Sequence, residues 1–150
     1  MNRTRRWALL MMAIMVVSLT PTVTSSTTVV VWSGIVNLPD GAVIDDDQVV
    51  QVQPGTEIRI GEGESIEVDG RLSVLGTENQ QVTVNSIEGK HDGIHFTSVS
   101  RGLGSSISHL KIENASRGII IVDSDPMMNN ITVLNADFVA VDLFSSANPQ

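Results

Sequence analysis

Pairs of aliphatic residues separated by one, mostly polar, residue recur along most of this 150-residue chain. One series of such units begins at Val50, Leu72, Ile94, Ile119 and Val139, and a second at Ile58, Val82, Leu110 and Ile131, each with a step of about two dozen residues. Alternate side chains of an extended strand point to opposite sides, so both aliphatics of a unit share one face. Turn formers separate the units, as in Gln53-Pro54-Gly55-Thr56, Gly61-Glu62-Gly63, Asp69-Gly70 and Leu75-Gly76-Thr77. No stretch longer than about ten residues carries a helical period. Short strands repeating at this interval predict an all-β solenoid whose coils stack on one another.

The later part of the chain is self-similar. Ser108-His109-Leu110-Lys111-Ile112-Glu113-Asn114-Ala115 aligns with Asn129-Asn130-Ile131-Thr132-Val133-Leu134-Asn135-Ala136 at an offset of 21. Gly93-Ile94-His95-Phe96 aligns with Gly118-Ile119-Ile120-Ile121, and again with Phe138-Val139-Ala140-Val141. A β-sandwich is the alternative all-β reading, but its strands have no reason to repeat one another. These units resemble the right-handed parallel β-helix repeat family, the pectate-lyase-like solenoids, whose rungs read Gly-Ile-x-apolar and then apolar-x-Ile-x-Asn. The stretch from Val52 to Ile58, followed by Gly70-Arg71-Leu72, Gly76-Thr77 and Val82-Thr83-Val84, resembles the opening coils of exported members. The resemblance spans about Val49 to Ser145. Coils stacked at about 4.8 Å would form a continuous aliphatic core, with Asn ladders at tight bends. Asn114 and Asn135 occupy equivalent positions and fit such a ladder.

The first residues have a different character. Arg3, Arg5 and Arg6 precede an uncharged apolar run from Trp7 to Leu19, and Thr20–Ser26 is small or hydroxylated. This is the layout of a secretory signal peptide, with cleavage expected near Ser25 or Ser26. The apolar run falls short of the roughly 20 residues that span a bilayer, and Pro21 ends it. The chain then divides into a leader at 1–26, a lead-in or capping segment at 27–48, and β-helix coils at 49–150. Further coils or a capping partner are expected beyond Ser145-Ser146-Ala147-Asn148-Pro149-Gln150, because Val139, Val141 and Leu143 read as an interior rung.

Charge narrows the partners. Removing the three leader arginines leaves six basic residues against seventeen acidic ones, about −11 in all. Nucleic acid needs clustered Lys and Arg, so it is excluded as a partner. The absence of cysteine means that no disulfide or lipidated thiol supports an exported chain.

Candidate chemistry is sparse. Asp45-Asp46-Asp47 is the densest acidic cluster and the one place calcium suggests itself, yet adjacent carboxylates diverge along an extended chain, so no cofactor is expected. His91 and His95 lack further ligands for a metal, and no serine sits in a nucleophile elbow. Asp123 and Asp142 are the only carboxylates spaced suggestively for a glycosidase pair. The resemblance implies polysaccharide hydrolases with paired aspartates and Gly-His-Gly and Arg-x-Lys segments, none of which occurs here. It also implies lyases with a basic residue beside calcium-binding acids, against which Arg101, Lys111 and Arg117 are not visibly arranged. Asn114-Ala115-Ser116 and Asn130-Ile131-Thr132 are glycosylation sequons. A bend-buried Asn114 cannot carry a sugar, which leaves Asn130 as the acceptor. The expectation is therefore a secreted or cell-surface, non-catalytic β-helix module. Its role would be structural or interactive, with an extracellular partner that includes glycan as a class. The alternative is the N-terminal part of a polysaccharide lyase or glycoside hydrolase whose catalytic coils lie elsewhere.

Overall fold

The computed structural model describes residues 26–145. The leader and Ser25 therefore lie outside the described residues, while Ser26 is exposed just ahead of the first strand. Coil one consists of β1 (Thr28–Trp32), β2 (Ile35–Leu38) and β3 (Ala42–Ile44). Coil two consists of β4 (Gln48–Val52), β5 (Glu57–Ile60) and β6 (Ile66–Val68). Coil three consists of β7 (Arg71–Leu75), β8 (Val82–Ser86) and β9 (Ile94–Phe96). In coils four and five the first two strands fuse, giving β10 (Ser106–Glu113) with β11 (Arg117–Val122), and β12 (Met127–Leu134) with β13 (Val139–Phe144). Every ladder between these strands is parallel. The result is a right-handed-type β-solenoid of about five turns. Among the described residues no helix is long and apolar enough to cross a membrane.

Three faces run the length of the stack. The first holds β1, β4, β7 and the start of β10; the second holds β2, β5, β8 and the end of β10; the third holds β3, β6, β9, β11 and β13. β12 continues both faces of β10. Inward residues form unbroken rows across coils, such as Ile44–Val68–Phe96–Ile121–Leu143 on the third face. Val36–Ile58–Val84–Ile112–Val133 is the matching row on the second. Phe96, Ile60 and Val84 are wholly buried. Each fully buried aliphatic contributes about 1.5–3 kcal/mol, and no single coil holds enough of them to fold alone.

Two sequence expectations change in register. The first series of aliphatic units mixes two faces, because Val50 and Leu72 pair on the first while Ile94 and Ile119 pair on the third. Ile58 stacks on Val84 rather than Val82, and Ile119 on Val141 rather than Val139. Both shifts are of two residues, and a slip of two keeps every side chain on its own face. Hydrophobic alternation cannot register that difference. Within 27–48, strands β1, β2 and β3 pair with β4, β5 and β6 and make up the first coil of the stack. Among the described residues β12 and β13 pair on one side only, and Leu143 is 70% exposed.

The recurrent Gly-Ile start of third-face strands has a steric cause. Gly41, Ser65, Gly93, Gly118 and Ala140 each precede the first inward residue of their strand. A Cβ on Gly93 would lie 2.1 Å from the Gly118 carbonyl oxygen, and one on Gly118 would lie 2.2 Å from that of Ala140. Backbone rests directly on backbone in this column. Gly93 also has φ +81°, whereas Gly63, at φ +71°, has open space around it. Gly93→Ala should therefore cost about 2–5 kcal/mol, combining overpacking with backbone strain. Gly63→Ala pays only the strain, about 1–2 kcal/mol. Urea unfolding of the two variants separates these costs, and equal midpoints would contradict the column.

Candidate functional site

Most polar side chains of interest gather at the three corners where the chain passes between faces. At the first corner, coils one and two turn through Gly34 and Gly55, but β10 and β12 each bend at a single residue. Those residues are His109, with φ 49°, and Asn130, with φ 55°. Asn tolerates this left-handed conformation better than most residues. Asn130 Nδ2 lies 2.9 Å from His109 Nε2, and His109 Nδ1 lies 2.9 Å from Ser108 Oγ. With the Asn amide donating, Nε2 accepts and Nδ1–H points to the serine hydroxyl. The hydroxyl oxygen therefore accepts this hydrogen bond, which is opposite to the polarity a nucleophilic serine requires. An open cleft of about 550 Å³ adjoins this pair, lined by Glu78, Gln81, His109, Asn130, Ile131 and Thr132. Asn130, the glycosylation candidate, is exposed at its rim.

The second corner carries the longer ladder. Asn114 and Asn135 have φ 56° and 57°, and Asn135 Nδ2 donates to Asn114 Oδ1 at 3.4 Å. Asn114 Nδ2 donates in turn to Asn85 Oδ1 at 3.0 Å, so three coils are linked. Asn85 was invisible to the periodicity, since long connections in the third coil displace it from the 21-residue offset. Lys90 Nζ reaches across the same corner to the Asn135 carbonyl at 3.3 Å and pairs with Asp137. His91 lies beneath, wholly buried. Its Nδ1 accepts from the Gly93 N–H at 3.0 Å and its Nε2 contacts the Glu113 carbonyl at 3.0 Å. Burial pushes its pKa below the ordinary imidazole value.

His95 does not join His91. It projects from the third face, with Nε2 2.6 Å from the Asp92 carbonyl and 3.5 Å from the Asp92 carboxylate. Among the described residues no group of three or more His, Cys, Asp or Glu is placed to hold a metal ion. Asp45, Asp46 and Asp47 form an exposed turn, where Gln48 donates to Asp45 at 3.0 Å. Lys111 pairs with Glu113 at 2.8 Å, and Arg117 approaches Asp92 at 3.9 Å. On the second face Arg59 donates to Glu57 at 2.8 Å, and that hydrogen bond lowers the carboxyl pKa.

At the third corner Ser100 and Ser124 hydroxyls meet at 2.7 Å, and the Gly102 N–H donates to Asp125 at 2.8 Å. Arg101, Asp123, Ser124 and Asp125 line an open cleft of about 400 Å³ with Leu143 and Phe144. Asp142 pairs in register with Ile120, three residues before Asp123. The two carboxylates are thus offset by about 10 Å along the strand direction.

No protein family, curated protein or solved structure matches this chain. The fold and the corner geometry define a parallel β-solenoid, and assignment to a family within that class rests on resemblance alone.

The amide ladder makes a testable contribution. Asn114→Gly preserves the backbone conformation and removes only the amide, so it should destabilise by about 1 kcal/mol. Asn114→Ala adds left-handed strain and should cost about 2–3 kcal/mol. Chemical denaturation measures both; a neutral Asn114→Gly would assign the residue's role to its backbone alone.

Proposed function

We propose that this chain is an exported, non-catalytic β-helix module, akin to the exported pectate-lyase-like solenoids, acting outside the cell or at its surface. Its role is to present a rigid surface to an extracellular partner. The observation that carries the reading is the outer surface of coil one. Val29, Val31, Ile35 and Val43 point outward and are 56–58% exposed. In coil two their register partners are Val49, Gln51, Glu57 and Glu67, three of them polar. Isolated surface aliphatics need no explanation, but a coil that is apolar both inside and outside suits contact with another molecule. The polar corner groups support the same reading, since His91, Asn85, Asn114 and Asn135 are engaged in holding coils together.

The cleft around Arg101, Asp123 and Asp125 favours the second reading, the N-terminal part of a polysaccharide lyase or hydrolase. An arginine and two acids lining one cleft at a solenoid corner suit a polar, charged sugar. Release of reducing or unsaturated ends from acidic polysaccharides, with and without calcium, tests it directly.

The first reading makes a matched pair of expectations. Changing Val29, Val31, Ile35 and Val43 together to Thr keeps β-branched side chains on solvent-facing positions. Stability should change by no more than about 0.5 kcal/mol per site, while binding of the purified chain to isolated cell envelopes should be lost. Unchanged binding would remove coil one as the contact surface. N-terminal sequencing of the exported protein should begin near Thr27.

A further inference from the structure

The second corner between coils three and four is closed by one residue whose chemistry depends on pH. The His91 main chain forms a bridge to Ala115, with its N–H donating to the Asn114 carbonyl at 3.3 Å and its own carbonyl accepting from the Ser116 N–H at 2.7 Å. The ring adds the contacts to Gly93 and Glu113. Both ring partners are main-chain groups that cannot exchange roles. The Gly93 N–H only donates, so Nδ1 must be bare; the Glu113 carbonyl only accepts, so Nε2 must carry the proton. The site is therefore built for neutral imidazole in one tautomer. An imidazolium would aim a second N–H at the Gly93 N–H, in a place shut off from water.

Charged groups surround the ring without serving it. Lys90 on the same turn pairs with Asp137, and Asp92 faces His95 and Arg117. Glu113 at the end of β10 pairs with Lys111. Glu64 in the second coil meets the turn through its carbonyl, which accepts from the Asp92 N–H at 2.7 Å. Attraction to Asp92 and the hydrogen bond to Glu113 favour the charged ring, but burial outweighs them. A ring that gains a proton must leave, and four hydrogen bonds at one corner go with it.

We propose that His91 is a pH-operated latch, and that its protonation releases coils four and five (residues 106–144) from coil three at this corner. The sign follows from linkage. The opened corner binds a proton that the closed one excludes, so the latch contributes fully above about pH 6.5 and weakens as pH falls below that value.

The test is amide exchange of the full chain at pH 7.5 and 5.5, expressed as protection relative to intrinsic exchange. Protection of Gly93 and Ser116 should fall severalfold on acidification, to a ceiling of about tenfold set by proton uptake of an opened ring with the ordinary pKa of about 6.5, while Val50 and Ile58 in coil two change little. His91→Gln keeps one donor and one acceptor but cannot charge, so its Ser116 protection should be the same at both values. Unchanged protection of Ser116 in the natural chain would overturn the latch. An equal loss in His91→Gln would do so too, by assigning the effect to carboxylates. Should that variant not fold, NMR titration of the natural chain decides. A His91 ring that protonates near pH 6.5 while Ser116 stays protected contradicts the proposal; protonation that accompanies loss of Ser116 protection supports it.

Discussion

Parallel backbone pairing between successive coils is the constraint from which the rest of this structure follows. Neighbouring strands lie about 4.8 Å apart, so a residue's environment is set by its counterparts one coil above and below. An inward position must suit a column, which is why aliphatics recur at equivalent places on all three faces. An outward position is freer, and the contrast between Val31 and its register partner Gln51 shows how quickly that surface changes along the stack.

Corners are where this constraint becomes hard to satisfy, because the chain must change direction sharply while staying in register. Early coils turn at glycines such as Gly34, Gly41 and Gly55, often with several residues of loop. Later coils turn at His109, Asn114, Asp123, Asn130 and Asn135, all with positive φ. A side chain at such a corner meets its counterpart in the next coil, so the residue that makes the turn can also tie the turns together. Glycine can do only the first. The later corners thus use polar side chains as internal fastenings, and exposed apolar side chains gather at both ends of the stack, Val29, Val31, Ile35 and Val43 in coil one and Met127, Leu134, Phe138 and Phe144 in coil five.

Much of the fold was legible from the chain. Alternation marked the strands, and the 21-residue offset located the β10–β12 pairing residue for residue, Leu110 on Ile131 and Ile112 on Val133. What escaped was any distinction between registers that differ by two, and the division into three faces, since alternation reports which side a residue faces and not which sheet it belongs to. The polar corners were half legible. Asn114 and Asn135 stand out because β10 and β12 have equal lengths, and the same alignment sets His109 against Asn130. Asn85 and His91 belong to the third coil, whose connections are longer, so no fixed offset leads to them. Nothing in the neighbours of His91 announces that the corner folds over it and buries it.

The third coil shows what this architecture permits. Its connections at 76–81, 87–93 and 97–105 are the longest at their respective corners, yet the strands between them stay in parallel register with coils two and four. Girth and pitch are therefore independent in this molecule. Pitch is set by backbone hydrogen bonds and is the same everywhere, whereas girth is a local matter for each corner, and extra loop length costs little entropy once the ends are fixed. Such a scaffold can acquire a protruding loop on any coil without disturbing the core, and can lengthen by duplicating a coil without redesigning its loops. Novelty can enter along either axis alone.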